Sequence, residues 1–415
     1  MPIRFTLAAL SVLLLSTAPL FAQQDTTLRL DMQLRVRSEW RDGYKLASAN
    51  NILTRNNLVT VQRARLGLKG RWRSFEYKLG AQDIRTFGGP AGQSQGTLGI
   101  SEAWWSTELA YGLVLKVGRQ EIKFDNERVV GAVDWSNPGR FLDGVRLDRQ
   151  KERPDQGNST AALTWDELTN TLRVMLYHRA MVGQGNKLTF LLFGQDSEIE
   201  PNLLTFGFTT RFKVGDHGYV ATETYTQPHK FRHSGSGMGW GNGRILKFAN
   251  MLIADVGRKG EGGHEWQMGL DLLSYKEYRD GFGFHPFLGT NHRHYGWMDQ
   301  FYVGTQTPGL TDVRLRHTAP LNVRPFPTAK GWGAAFHHFR TAGFGDLLGN
   351  ELDLWITGKK DGALTWHVGW SLMDVTLRHV ERQNALPQEE WSAAAARLQQ
   401  WGWVSLNFTP SFDLR

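Results

Sequence analysis

The sequence predicts an all-β fold, a transmembrane antiparallel β-barrel of about 18 strands, with 16 as the smaller alternative. Three observations carry this expectation. Apolar and polar residues alternate with period two in long runs along the chain, as in a strand that sends neighbouring side chains to opposite faces. The 16 Trp, 23 Phe and 10 Tyr are the residues that aromatic girdles at membrane interfaces consume. The chain opens on a secretory leader yet has no cysteine, so no disulfide holds it together. A closed barrel satisfies its backbone within its own ladder instead.

The leader spans 1–22: Arg4, an apolar run from Phe5 to Leu15, then "STAPLFAQ" with a cleavage point after Ala22. That run is shorter than the roughly 20 residues a spanning helix needs. No later apolar run reaches 18 residues, so strands must do any crossing. Residues 23–415 then form one barrel domain. The first strand, "LRLDMQLRVRSEW", places Leu28, Leu30, Met32, Leu34 and Val36 on one face. Arg29, Asp31, Gln33, Arg35, Arg37 and Glu39 take the other. The next repeats the pattern, with Arg63, Arg65, Lys69 and Arg71 opposite Ala64, Leu66, Leu68 and Trp72. Further strands are expected near 75–86, 98–108, 112–124, 139–148, 158–166, 171–181, 186–194, 203–213, 217–227, 244–256, 264–276, 310–318, 332–341, 350–358, 363–373 and 399–410. Alternation is faintest at 158–166 and 186–194, and losing both leaves 16, still an even number. A soluble sandwich also alternates, but a mature chain of this length should then show linkers, and no Pro- or Ser-rich stretch appears. With the N-terminus in the periplasm, "WRSF", "VGDHG" and "KKDG" are periplasmic turns. Segments 41–57, 125–138, 228–243, 277–309 and 374–398 become long outer loops, the usual asymmetry of such barrels.

Residues 117–147, "VGRQEIKFDNERVVGAVDWSNPGRFLDGVRL", carry a resemblance. The series Gly118-Arg119-Gln120-Glu121, Arg128, Asp134-Trp135, Gly139-Arg140, then Asp143, Arg146 and Leu147 resembles the alginate export family of outer-membrane barrels. His292, Gly296 and Asp299, and the later "LGNELDL", resemble two further patches of that family. The resemblance implies an 18-stranded barrel whose Arg-rich lumen passes a polyuronate outward. The chain departs from that pattern in ending "TPSFDLR" and in a longer Arg149–Asn170 segment.

The charged strand faces fit such a lumen. The formal charge of +8 falls to +7 when Arg4 leaves with the leader, a mild excess that favours an anionic partner. Arg presents a planar fork that matches a carboxylate and stays charged. The expected pathway comprises Arg29, Arg35, Arg37, Arg63, Arg65, Lys69, Arg71, Arg119, Arg128, Arg140 and Arg146, with Asp31, Asp134, Asp143, Glu351 and Asp353 interspersed. Successive weak sites let an ion enter and leave; on the blander reading, the charges neutralise one another and hydrate a wide pore. Arg119 shares the parity of Leu113, Leu115 and Val117 and so points at lipid, and Asp143 shares that of Val145 and Leu147. Either the strand has reached the outer rim there, or a bulge at Gly118 swaps its faces; the bulge is the favoured expectation.

Other motifs rank lower. His292, His294 and Asp299 have the chemistry of a metal site but more readily face solvent. "GSGMGWGNGR" lacks the G-K-[ST] ending of a phosphate cradle, and His337 and His338 project to opposite faces. "EEWSAAAARLQQW" is a candidate helical lid. No nucleophile–base pair suggests an enzyme, and neither cofactor nor nucleic-acid partner is expected. The leading expectation is passive export of an anionic polysaccharide through the bacterial outer membrane, with outer-membrane lipid around the barrel and periplasmic export proteins as further partners. The alternative is an anion-selective uptake porin for small or oligomeric acidic solutes.

Overall fold

A computed structural model describes residues 26–42, 57–87, 97–150, 157–183, 185–199, 202–232, 244–274, 283–286, 288–301, 309–322, 328–383, 388, 392 and 398–414. The leader at 1–22 and the Gly-rich stretch 235–243 lie outside them.

The strands are β1 (Thr27–Asp42), β2 (Asn57–Trp72), β3 (Phe75–Thr86), β4 (Thr97–Glu108), β5 (Leu113–Gln120), β6 (Leu142–Gln150), β7 (Asn158–Asp166), β8 (Thr171–Val182), β9 (Asn186–Ser197), β10 (Leu203–Val214), β11 (Gly218–Arg232), β12 (Arg244–Lys259), β13 (Glu265–Leu273), β14 (Leu310–Pro320), β15 (Ala329–Arg340), β16 (Leu347–Lys360), β17 (Leu364–Val375) and β18 (Gln399–Phe408). Each pairs antiparallel with the next, and β18 pairs with β1, from Leu34 opposite Phe408 to Asp42 opposite Gln400. A short strand, Ser411–Asp413, continues the line of β18 beyond Pro410 and also lies on β1. The barrel is therefore closed with 18 strands. Both faintly patterned segments form full strands, which removes the 16-strand alternative.

Alternation sets the two faces. Leu58, Leu98, Phe206, Phe248, Trp266 and Met268 are exposed on the outer wall, while Arg35, Arg63, Asp271, Thr311 and Asp353 are buried inside. One end of the barrel, the turn rim, carries the tight connections at 73–74, 215–217 and 361–363. The other, the loop rim, carries the long ones. Trp72, Phe75 and Trp105 pack edge and face at the turn rim, as an interfacial girdle does. Among the described residues no helix is long and apolar enough to cross a membrane.

Two expectations change. Segments 125–138 and 277–309 do not reach outward: their described residues turn into the barrel. The reason is their composition, since Val129, Val130, Leu288, Tyr295, Met298 and Phe301 are apolar and are buried by meeting one another and the wall. Nor does Gly118 form a bulge. The register of β5 runs unbroken against β4 and β6. Gly118 sits at φ +118°, where a Cβ would fall 2.1 Å from the carbonyl oxygen of Ala103, so glycine answers a close strand approach there. Arg119 and Asp143 consequently stay on the outer wall. They face each other across β5 and β6, paired at 2.6 Å near the loop rim, and Arg119 also donates to the Ile100 carbonyl. The one bulge of this region lies in β4, where Ser101 is left out of register with β3. A helix, α1 (Leu377–Gln383), forms in the last loop; most of the stretch expected to be a lid lies outside the described residues.

Candidate functional site

The lumen is crossed by two inserted segments. Residues 121–141, between β5 and β6, meet residues 283–301, which follow β13. Val130 bridges Leu288 in parallel. Gly131 N–H donates to the Leu288 carbonyl at 2.7 Å, and Leu288 N–H to that of Val129 at 3.1 Å. Arg140 ties both segments, donating to the carbonyls of Gly131 and Leu288.

The basic faces of β1 and β2 hold the first segment. Arg35 donates to the Asp134 carbonyl at 2.6 Å and also reaches the carbonyls of Trp135 and Ser136 and the Asn137 side chain. Arg63, fully buried, donates to the Asp134 carboxylate at 2.9 Å and to three carbonyls between Asp134 and Asn137. Arg65 donates to the Pro138 carbonyl at 3.0 Å. Arg37 donates to the Trp135 carbonyl and to Glu39. The lumen wall around Asp134 would raise its carboxyl, but Arg63 and Arg35 outweigh that and hold it below the usual range. The four arginines thus clasp the carbonyls of one loop. Such charge-assisted bonds are among the stronger ones in a protein.

The opposite wall is a mixed-charge network. Arg128, from the tip of the first segment, is paired with Asp271 at 2.5 Å and lies 3.6 Å from Glu223. Arg314 bridges Asp271 and Asp255. On β16, Glu351 accepts the Met298 N–H at 2.7 Å, and Asp353 accepts the Ser371 hydroxyl. Of these expected pathway carboxylates, Glu351 thus fastens the second inserted segment and Asp353 a neighbouring strand. Asp31 does pair with Arg29 at 2.7 Å, Lys69 with Glu76 at 2.7 Å, and Arg146 with Asp148 at 2.8 Å. Arg71 is exposed at the turn rim.

An aromatic column lines the wall between these networks. Trp135 stacks on His292 at 4.5 Å, Trp401 on Trp403 at 4.2 Å, and Trp297 tilts against Trp355 at 4.8 Å. Trp403 and Trp355 lie over their cross-strand glycines, Gly369 and Gly333, where a Cβ would fall 2.0 and 2.1 Å from the ring. The absent side chains let the indoles lie flat. His292 bonds Asp299, and His294 bonds the Asn126 carbonyl, so the two do not converge with Asp299. Burial and the nearby Arg128 and Arg314 push the His294 imidazole well below its ordinary value, keeping it neutral.

Beside the inserted segments the lumen narrows to cavities of about 320, 270 and 420 Å³ that share Arg293 in their walls. The first two also share Arg211, which lies 3.6 Å over the Tyr219 ring. Arg316 lies 5.1 Å over Trp355. Lys187 stands opposite Arg211 in register. Among the described residues none of these three cations has a carboxylate within 4 Å, and all three are exposed to the lumen. Sequence reasoning did not single them out. Their signal was present, since Arg211 sits among Thr205, Gly207 and Thr209 on the polar face of β10. It was overshadowed by the denser Arg runs of β1 and β2.

No protein-family model and no curated protein matches the chain. Solved structures do. OccK11 (OpdR) of Pseudomonas aeruginosa superposes with a TM-score of 0.62 at 10% identity, covering 93% of this chain and 96% of that one. OccAB2 of Acinetobacter baumannii gives 0.60 at 11% identity over 93% and 98%. OpdK of Pseudomonas aeruginosa, solved with vanillate, gives 0.61 at 10% identity over 93% and 99%. The fold is that of 18-stranded outer-membrane porins. The resemblance to the alginate export family is not supported. The residues that carried it, Arg128, Asp134, Trp135 and Arg140, build and anchor the inserted loop.

Proposed function

We propose that the chain is a passive outer-membrane channel for small acidic solutes, taken up down their gradient. The observation that carries this reading is the filled lumen: two inserted segments leave cavities of a few hundred Å³, one of them walled in part by Arg211 and Arg316, which among the described residues have no carboxylate within 4 Å, whereas Arg128, Arg293 and Arg314 in the same wall are ion-paired. A solute the size of one ring fits such spaces, whereas a stiff polysaccharide would have to unseat the clasp of Arg35, Arg37, Arg63 and Arg65. The alternative expectation of an uptake porin is therefore favoured over polymer export. The similarity to outer-membrane barrels, one of them solved with vanillate, supports the same class. The turn rim then faces the periplasm, and the girdle and apolar wall face lipid.

The physical chemistry follows from which cations are already satisfied. An arginine bonded to several carbonyls and a carboxylate has few donors left, while Arg211 and Arg316 rest on aromatic faces that orient a guanidinium and have no carboxylate within 4 Å among the described residues. Lys187 adds a point charge beside Arg211. A carboxylate arriving past Arg293 meets these in turn, each contact weak enough to break.

The test is the reversal potential across a planar bilayer under a salt gradient. Wild type should prefer chloride to potassium. R211Q/R316Q/K187Q should lose most of that preference, while the barrel keeps its heat-modifiable gel mobility. Cation preference in wild type overturns the reading.

A further inference from the structure

The outer wall carries an open groove of about 810 Å³, running obliquely across β5 to β11. Its shaft is apolar, with Leu176, Phe190, Leu192, Phe206 and Phe208 outermost and Ala161 at its floor. Its foot is polar. Arg149 stands opposite Ser159, and the Ser159 hydroxyl lies 2.9 Å from His178 Nδ1. All three share the parity of the lipid-facing residues. The foot lies toward the turn rim, because β6 descends to Gln150 and β7 starts at Asn158. Among the described residues no carboxylate lies within 4 Å of Arg149, although Arg119 higher on the same wall is paired with Asp143. A cation on the lipid face is tolerated at headgroup depth, where an anion can meet it.

A polar, positively charged foot below a long apolar shaft has the shape and charge of one amphiphile. We propose that this groove holds a single anionic phospholipid of the turn-side leaflet, its phosphodiester on Arg149 and His178 and an acyl chain along Phe190 and Phe208. The proposal rests on the reading of the chain as a membrane barrel, but not on what the lumen conducts.

The experiment is native mass spectrometry of the full-length mature barrel, released from detergent after incubation with phosphatidylglycerol or with phosphatidylcholine of the same chains. One phosphatidylglycerol should be retained per barrel, about fivefold over phosphatidylcholine, roughly what one interfacial charge contact contributes. R149Q should fall to the phosphatidylcholine level, and R149K should keep most of the preference. Chloride conductance and heat-modifiable mobility should be unchanged in R149Q, so loss of either would point at the barrel and not the groove; should R149Q not assemble, H178A makes the same comparison. Equal retention of the two lipids, unaltered retention in the assembled variant, or a dimer in place of a lipid adduct overturns the proposal.

Discussion

Arg37 lies over Trp135, its guanidinium 4.2 Å from the ring centroid, while donating to the carbonyl of the same residue at 2.5 Å. One side chain thus grips both the ring and the backbone of the inserted loop, and Glu39 steadies it from the wall at 2.7 Å. The relationship ties the inserted loop to the wall, because Trp135 also leads into the column of His292, Trp401 and Trp403.

Releasing that grip should widen the channel. In W135A the loop loses its stacked anchor, and in R63Q it loses a buried charge that bonds it at four points. Single-channel conductance should rise several-fold in both. Urea titration in vesicles should show a loss of about 2 kcal/mol for R63Q, the scale of one hydrogen-bonded charge. Unchanged conductance in both variants would mean that the bore is set elsewhere.

Acid should open the wild-type channel through Asp134. With its pKa held below the unfolded value by Arg63 and Arg35, Asp134 supports docking only while ionised. That support is complete above the ordinary Asp value of about 3.9 and is lost as pH falls through the lower docked value. Conductance should therefore stay flat from pH 7 to about 5 and climb below about 4. In D134N the climb should vanish, the open level being present at every pH. An identical profile in D134N would assign the acid response to other carboxylates.

The fold was legible because a strand's period is two. Leu28 to Val36 against Arg29 to Arg37 placed the two faces of β1 correctly, and the same pattern recovered the other strands. The site was less legible. Asp134 and Arg140 read as pathway residues because an alternation pattern says which face a strand residue takes, and nothing about where a loop turns. The clue lay in the apolar residues Val129, Val130 and Leu288, which an exposed loop would have no reason to carry. Arg119 shows the converse. Parity placed it correctly on the lipid side, and the bulge was invoked to avoid a cost that its rim position and Asp143 already remove.

That pair can be tested directly. At the rim an arginine costs little, and a partly exposed ion pair contributes about 0.2–1 kcal/mol. R119L and D143L should each destabilise the barrel by up to about 1 kcal/mol in urea titration, while R119L/D143L should return close to wild type, since an apolar pair suits that wall. Chloride selectivity should not move in any of the three. A selectivity change would place Arg119 in the conducting path after all.

Size should decide between monomer and polymer. Proteoliposomes containing the channel should swell in an isotonic monomeric uronate and scarcely in an octameric oligouronate, because the described residues beside the inserted segments wall cavities of about 320, 270 and 420 Å³. The oligomer should still reduce chloride current from the loop side, since its carboxylates can reach exposed cations at the mouth without passing. That block should weaken as salt is raised toward 1 M, where the Debye length is about 3 Å. Neutral dextran of matched size should block less. In W135A, with the loop freed, the oligomer should begin to enter and swelling should follow. Equal swelling by monomer and octamer in the wild type would show that the inserted segments move aside for a polymer, and the export reading would regain its place.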